Sequence, residues 1–239
     1  MAVDLNGKLR LHAAFSHTVE HIGNEREPVL VVDNFLDDAA LLVDHAAAHA
    51  VFRADPATFY PGLCAPIPPI YSFAVRAFLG DLISDVFELR GSRVVKELSN
   101  FSLVTTPPER LQVVQRLPHF DNPDDRQLAL LHYLCAPGQG GTSFYRHRAS
   151  GFETIRLPRM AGYLSTLGDE LSAGGPPPAA YLSGDNAQFE RIASFQAVFN
   201  RVLVYRSVAL HCGDIPNDFS FDDDPRTGRL TANTFFFYR

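Results

Sequence analysis

Gln127-Leu-Ala-Leu-Leu-His-Tyr-Leu-Cys135, Ala136-Pro-Gly-Gln-Gly-Gly141 and Thr142-Ser-Phe-Tyr-Arg-His147 follow one another without a gap, and their reading decides the fold. Two short runs rich in apolar and aromatic residues, joined by a Pro- and Gly-bearing turn, read as consecutive β-strands. Working outward, the same grammar recurs at Arg93–Leu98, Phe101–Thr105, Leu111–Leu117, Arg201–Tyr205, Ser207–His211 and Leu230–Tyr238. Asn122-Pro123 and Asp224-Pro225 supply further turns. Many short strands punctuated this way predict an antiparallel sandwich or jelly roll. A helix is expected between about Ala161 and Gly175, ahead of the Gly-Gly-Pro-Pro-Pro run at 174–178.

The first 92 residues read differently. Pro28–Asp33 predicts one strand. Asp37 or Asp38 stands where a helix N-cap belongs, ahead of an Ala- and Leu-rich stretch to about Val51. Pro56, Pro61, Pro66, Pro68 and Pro69 exclude a regular element over their span. Tyr71–Leu89 predicts a second helix with Ala74, Phe78, Leu82, Val86 and Leu89 on its apolar face. The expected organisation is one compact unit of mainly β structure with a helical flank (α+β): a flank over 1–92 on a β-core over 93–239.

Composition narrows the function classes. Of 239 residues, 46% are hydrophobic and 20% charged, an ordinary globular balance. No run approaches the roughly 20 apolar residues of a membrane span, and Met1–Asn6 carries no secretory pattern. The 21 basic residues against 27 acidic ones lack the electrostatic footprint of a nucleic-acid binder. Cys64, Cys135 and Cys212 form no CxxC pair. A cytoplasmic protein with a small-molecule, peptide or protein substrate is expected, with homodimerisation open.

The chemistry concentrates at Pro118-His119-Phe120-Asp121-Asn122-Pro123. In a strand, residues two apart share a face, so His119 and Asp121 aim an imidazole and a carboxylate at one point. His211 ends the apolar stretch from Arg201 and supplies a third ligand from a strand terminus. Two histidines and one carboxylate with open positions suit non-haem iron(II). Arg229-Leu-Thr231 follows, with a guanidinium and a hydroxyl on one side of a strand, suited to a carboxylate.

From Leu111 onward these motifs resemble the iron(II)/2-oxoglutarate-dependent oxygenases, on the prolyl-hydroxylase-like branch. His119-Phe-Asp121 and His211 resemble that superfamily's metal ligands, and Arg229-x-Thr231 its co-substrate anchor. Leu131-His-Tyr133-Leu134 resembles the strand whose tyrosine contacts the distal carboxylate of 2-oxoglutarate, and Gly140-Gly141-Thr-Ser-Phe144 the strand after it. The whole chain resembles an uncharacterised bacterial oxygenase-like family found beside tryptophan-halogenase-like genes. The resemblance implies a double-stranded β-helix (jelly-roll) core binding Fe(II), 2-oxoglutarate and O2. It implies hydroxylation of an unactivated C–H bond with decarboxylation to succinate, and the retained Asp121 favours hydroxylation over halogenation. Arg229 lies eighteen residues after His211, more than the superfamily's usual spacing. An inserted Asp/Phe/Pro-rich loop accounts for the excess, and Arg226 within it is an alternative anchor.

Other residues divide between functional and ordinary readings. Tyr145, His147 and Arg148 either line the substrate mouth or end a strand at the surface. His132 alternates with Tyr133 and points away from the co-substrate. His45 and His49 read as a solvated helix face, Cys212 as a buried thiol and Asp222–Asp224 as a solvated loop. Tyr60-Pro61-Gly62 is either a lid or a static connector. Two alternatives of other classes remain at this point: a non-catalytic jelly-roll scaffold, and a cupin-type metalloenzyme that does not use 2-oxoglutarate.

Overall fold

The structure, a computed structural model, describes residues 5, 7–55 and 58–239. The reading of the first residues, and Pro56 of the proline-rich stretch, fall outside that set. Among the described residues the strands are β1 (Ser16–Ile22), β2 (Glu27–Asp33), β3 (Gly62–Pro66), β4 (Val94–Val104), β5 (Gln127–Tyr133), β6 (Gly141–His147), β7 (Phe189–Gln196), β8 (Val202–Arg206), β9 (His211–Asp214) and β10 (Leu230–Tyr238). Among the same residues the helices α1 (Ala40–His49), α2 (Pro69–Val86) and α3 (Leu157–Gly174) complete the frame. The strands form a seven-stranded sheet in the order β1-β2-β8-β5-β10-β4-β3 and a three-stranded sheet in the order β7-β6-β9. All pairings are antiparallel. This is the expected mainly β, jelly-roll architecture with helices.

Strand alternation sorts the core into layers. On β2, β5 and β8 the residues Leu30, Val32, Leu128, Leu130, Val202 and Val204 pack outward against Leu42 and Ala46 of α1 and Tyr71, Val75, Leu79 and Ile83 of α2. Their neighbours Val29, Val31, Ala129, Tyr133, Leu203 and Tyr205 face inward and meet Phe144 and Phe195 of the smaller sheet. The far side of the smaller sheet packs Tyr145, Phe189 and Cys212 against Tyr163 of α3. Burial on both faces is why β5 reads as an almost continuous apolar run.

Several local expectations change. The helical flank over 1–92 also carries three strands, and β1, β2 and β3 join the larger sheet. β3 lies inside the proline-rich stretch and is tolerated there as an edge strand, where missing N–H donors cost little. Leu111–Leu117 is no strand: Pro107 and Pro108 lead into 3-10 turns at Pro108–Arg110 and Val113–Arg116. Arg93–Leu98 and Phe101–Thr105 belong to the one long strand β4. Ser207–Leu210 forms a turn and bridge, so His211 opens a strand instead of closing one. α1 has no Asp cap; Ala39 precedes it without a side-chain hydrogen bond. The most deeply buried face of α2 is Tyr71, Val75, Leu79 and Ile83; of the predicted stripe, Ala74 and Leu89 are buried as well, and Phe78, Leu82 and Val86 pack half-buried against the same core. That helix ends where Glu88 takes a left-handed conformation (φ 56°) and the Leu89 N–H reaches back to Ser84 O.

Candidate functional site

His119 and His211 are joined directly. The His119 N–H donates to His211 O at 2.9 Å, and the His211 N–H returns a bond to His119 O at 2.8 Å. Residues opposed in this way project to the same side, and the two rings lie 4.5 Å apart between centroids. Two residues on, the Asp121 N–H donates to Ser207 O at 2.8 Å, which keeps 119–121 alongside 207–211. The ligand atoms of His119, Asp121 and His211 all lie within 4.8 Å of one another. His119 Nε2 is 3.7 Å from Asp121 Oδ1, and His211 Nε2 is 3.8 Å from Asp121 Oδ2.

The protonation pattern suits a metal. His211 Nδ1 lies 2.9 Å from Ala209 O. A carbonyl only accepts, so Nδ1 carries the proton and Nε2 presents its lone pair to the cluster. Burial pushes His211 down to about 4. Burial, and then the neighbouring His211, push His119 in the same direction. Its side chain keeps 54% of its surface accessible, so water moderates that fall. Burial raises Asp121 to about 6, opposed by His119. Asp121 Oδ2 is buried with no hydrogen-bond partner. A carboxylate oxygen left without a donor, facing two neutral imidazole nitrogens, fits a divalent cation and is unfavourable without one. Tyr205 and Phe144 wall the inner side, with ring centroids 4.8 and 6.1 Å from His211.

A second unsatisfied charge sits further into the space between the sheets. Arg229 immediately precedes β10 and is 4% exposed. Its Nε–H donates to Gln139 O at 2.9 Å and its Nη2–H to Gly141 O at 2.8 Å. Among the described residues it has no carboxylate partner. Gly140 makes this turn possible: it adopts φ +80°, and a Cβ there would lie 2.1 Å from Asp214 O. The guanidinium stands 5.6 Å from the Tyr133 ring, and its charge also reaches Tyr60, Tyr181 and Tyr205. The charge of Asp121 reaches Tyr205 as well, whose ring stands 4.8 Å from that of His211. Thr231 pairs across the sheet with both Tyr133 and Ser102, placing all three on the inner face. The Tyr133 hydroxyl lies 2.7 Å from Thr142 Oγ1, and the Thr231 hydroxyl donates to Ser102 O at 3.4 Å.

The structure therefore brings His119, Asp121 and His211 together, and gathers Arg229, Thr231 and Tyr133 beside them. It does not bring Tyr145, His147 or Arg148 to this space. Thr142 and Phe144 face inward on β6, so Tyr145 and His147 face outward beneath α3. The His147 ring is held by Ser150 Oγ and Glu170 Oε2, both at 2.9 Å. Arg148 pairs with Asp185 at the surface, 2.8 Å away. Arg226 is not the buried cation either; it lies exposed and pairs with Asp44 at 2.9 Å. His132 points to the helical layer, between Tyr71 and Asn200. The sequence reading has no place for Tyr205 or Asn233, and it has Tyr60 only as part of a lid or a static connector. Asn233 lies two residues beyond Thr231 on the same face, and its Oδ1 is buried without a partner.

The model of a family of unknown function, DUF6445, matches residues 13–236. The chain belongs to that family. In this DUF6445 member the matched span contains His119, Asp121 and His211 together with Arg229, Thr231 and Tyr133. No curated protein matches. Among solved structures the chain is similar to HygX from Streptomyces hygroscopicus, a structure with nickel, 2-oxoglutarate and hygromycin B bound. That match has 11% identity and a TM-score of 0.49, covering 89% of this chain and 84% of that one. It is also similar to SnoN, the non-heme alpha ketoglutarate dependent epimerase of nogalamycin biosynthesis, at 12% identity and a TM-score of 0.47, covering 89% and 78%. An N-substituted L-amino acid dioxygenase from Burkholderia ambifaria matches at 11% identity and a TM-score of 0.40, covering 90% and 86% in complex with alpha-KG. Among the described residues no helix is long and apolar enough to cross a membrane.

Proposed function

We propose that this chain is an iron(II)- and 2-oxoglutarate-dependent oxygenase that hydroxylates a C–H bond of an amino acid, a peptide or protein side chain, or a small metabolite. The observation that carries the reading is a pair of uncompensated groups in one inter-sheet space. One is the donor-less carboxylate oxygen of Asp121 between two imidazoles. The other is the buried guanidinium of Arg229 bonded only to carbonyls.

His119 Nε2, His211 Nε2 and an Asp121 oxygen are the groups that hold iron(II), a donor set of two neutral nitrogens and one hard oxygen. Iron(II) with 2-oxoglutarate and O2 supplies the oxidising chemistry, with succinate as co-product. Arg229 receives the far carboxylate of 2-oxoglutarate, and Thr231 and Tyr133 line the same pocket. The Ala209 carbonyl holds the His211 tautomer that leaves Nε2 free to bind. Phe144 and Tyr205 exclude water from the inner side. The half-exposed His119 marks the side on which substrate approaches, since His211 on the other flank is enclosed.

The test is anaerobic addition of iron(II) and then 2-oxoglutarate, followed by visible absorption. A metal-to-ligand charge-transfer band is expected in the wild type and lost in His119→Ala. Arg229→Ala should weaken 2-oxoglutarate at least about tenfold. Iron binding without the band points to a cupin-type metalloenzyme instead, and no metal binding leaves a jelly-roll scaffold as the better account.

A further inference from the structure

We infer that the Tyr60 hydroxyl is a further ligand-binding group of the Arg229 pocket, donating a hydrogen bond to the far carboxylate of the bound 2-oxo dicarboxylate. This rests on the reading that Arg229 receives that carboxylate.

Tyr60 reaches the pocket from the segment ahead of β3, not from a core strand. Its backbone is placed without help from its hydroxyl. Gln115 Nε2 donates to Phe59 O at 3.1 Å, the Gly62 N–H donates to Tyr60 O at 2.9 Å, and the Thr105 and Thr106 N–H groups both donate to Pro61 O at 3.3 Å. The ring packs against the cluster of Val104, Leu111, Tyr181 and Ile215. The hydroxyl is then left beside Thr231 and within reach of the Arg229 charge, buried and without a hydrogen-bond partner.

What that hydroxyl lacks is an acceptor. A guanidinium has donors only, and the Thr231 hydroxyl oxygen, which keeps its lone pairs while donating to Ser102 O, is not in hydrogen-bonding geometry with the Tyr60 hydroxyl. Burial holds the phenol well above its ordinary pKa, so it keeps its proton. Two other tyrosines around Arg229 are already engaged: Tyr133 with Thr142 Oγ1 and Tyr181 with Thr106 O, each at 2.7 Å. A carboxylate seated on Arg229 supplies the acceptor that Tyr60 lacks and the counter-charge that Arg229 lacks. The pocket is thereby selective for a 2-oxo acid with a second carboxylate over one that ends in a methyl group.

The test uses Tyr60→Phe, which keeps the ring and removes only the hydroxyl. Dissociation constants for 2-oxoglutarate and for pyruvate are measured by calorimetry on the anaerobic iron(II) protein, together with the thermal midpoint of the unliganded chain. The expected result is about tenfold weaker 2-oxoglutarate, unchanged pyruvate, and an unliganded midpoint no lower than wild type. Retention of 2-oxoglutarate within about twofold, while Arg229→Gln loses it, overturns the role of Tyr60 and leaves the pocket standing. Equal weakening of both acids also overturns it. A wild type that binds no 2-oxoglutarate removes the underlying reading and this inference with it.

Discussion

His147 and His211 lie on opposite faces of the same three-stranded sheet, and each stands beside a carboxylate. On the outer face His147 has both ring nitrogens at 2.9 Å from partners, Ser150 and Glu170, with its ring between Tyr163 and Phe189. On the inner face His211 has one nitrogen on Ala209 O, while the other faces, at 3.8 Å, an Asp121 oxygen that has no partner. The arginines repeat the contrast. Near the β1–β2 turn Arg156 is paired with Glu25, Glu27 and Asp125, whereas Arg229 on the inner side has carbonyls alone. A histidine next to an acid is therefore no sign of function by itself. Uncompensated charges that converge with further donor atoms in one buried space are a stronger sign, because folding leaves such groups costly unless something else completes them.

Three measurements press on that contrast. The largest effect is expected at His132, a satisfied histidine. Burial pushes it from 6.5 to about 4, against the contrary pull of Asn200. Between those values the unfolded chain binds a proton that the folded chain refuses. Stability is therefore full above about 6.5 and is lost as pH falls toward 4, by on the order of 2 to 3 kcal/mol. Chemical denaturation across this window should show a shallower pH dependence in His132→Gln than in the wild type. Parallel curves would break the assignment.

Next comes a pair with opposite signs. Burial raises Asp121 from 3.8 to about 6, so its ionisation opposes folding as pH rises through that interval. Asp121→Asn should stabilise the metal-free protein at pH 7.5 by about 1 to 2 kcal/mol while abolishing metal binding. Glu170→Ala should destabilise by about 1 to 2 kcal/mol, because it strands a buried histidine, and should leave metal binding intact. Equal signs in urea melts would dissolve the distinction between the two faces.

The smallest effect separates the two cations. Arg226→Ala removes an exposed ion pair with Asp44 and should change stability by no more than about 0.5 kcal/mol. Titration with 2-oxoglutarate should give an unchanged affinity. A large loss would return the anchor role to Arg226.

Much of the jelly roll is legible in the chain because β2, β5, β8 and β10 are buried and carry dense apolar runs, and because β6 follows a Gly-rich turn with Phe144 and Tyr145 at its centre. β1, with Ser16-His-Thr-Val-Glu-His-Ile22, and β7, with Phe189-Glu-Arg-Ile-Ala-Ser-Phe-Gln196, hold exposed polar residues and give no such signal. Their existence depends on the strand beside them. β3 is hidden by prolines that only an edge position tolerates. His119, Asp121 and His211 could be proposed from residue type and position, since two imidazoles and a carboxylate are a recognisable donor set. Tyr60 could not: its part comes from where the chain ahead of β3 is pinned.

Alternation along the chain determined by itself which residues share a face, so His119 groups with Asp121 and Tyr145 with His147. Only the tertiary structure decided which face looks inward, because that depends on which sheet or helix packs opposite. Phe144 meets Tyr205 and His211 between the sheets, and this turns Tyr145 and His147 out beneath α3. The same packing closes carbonyls and phenols around Arg229, and among the described residues it leaves that guanidinium without a carboxylate partner.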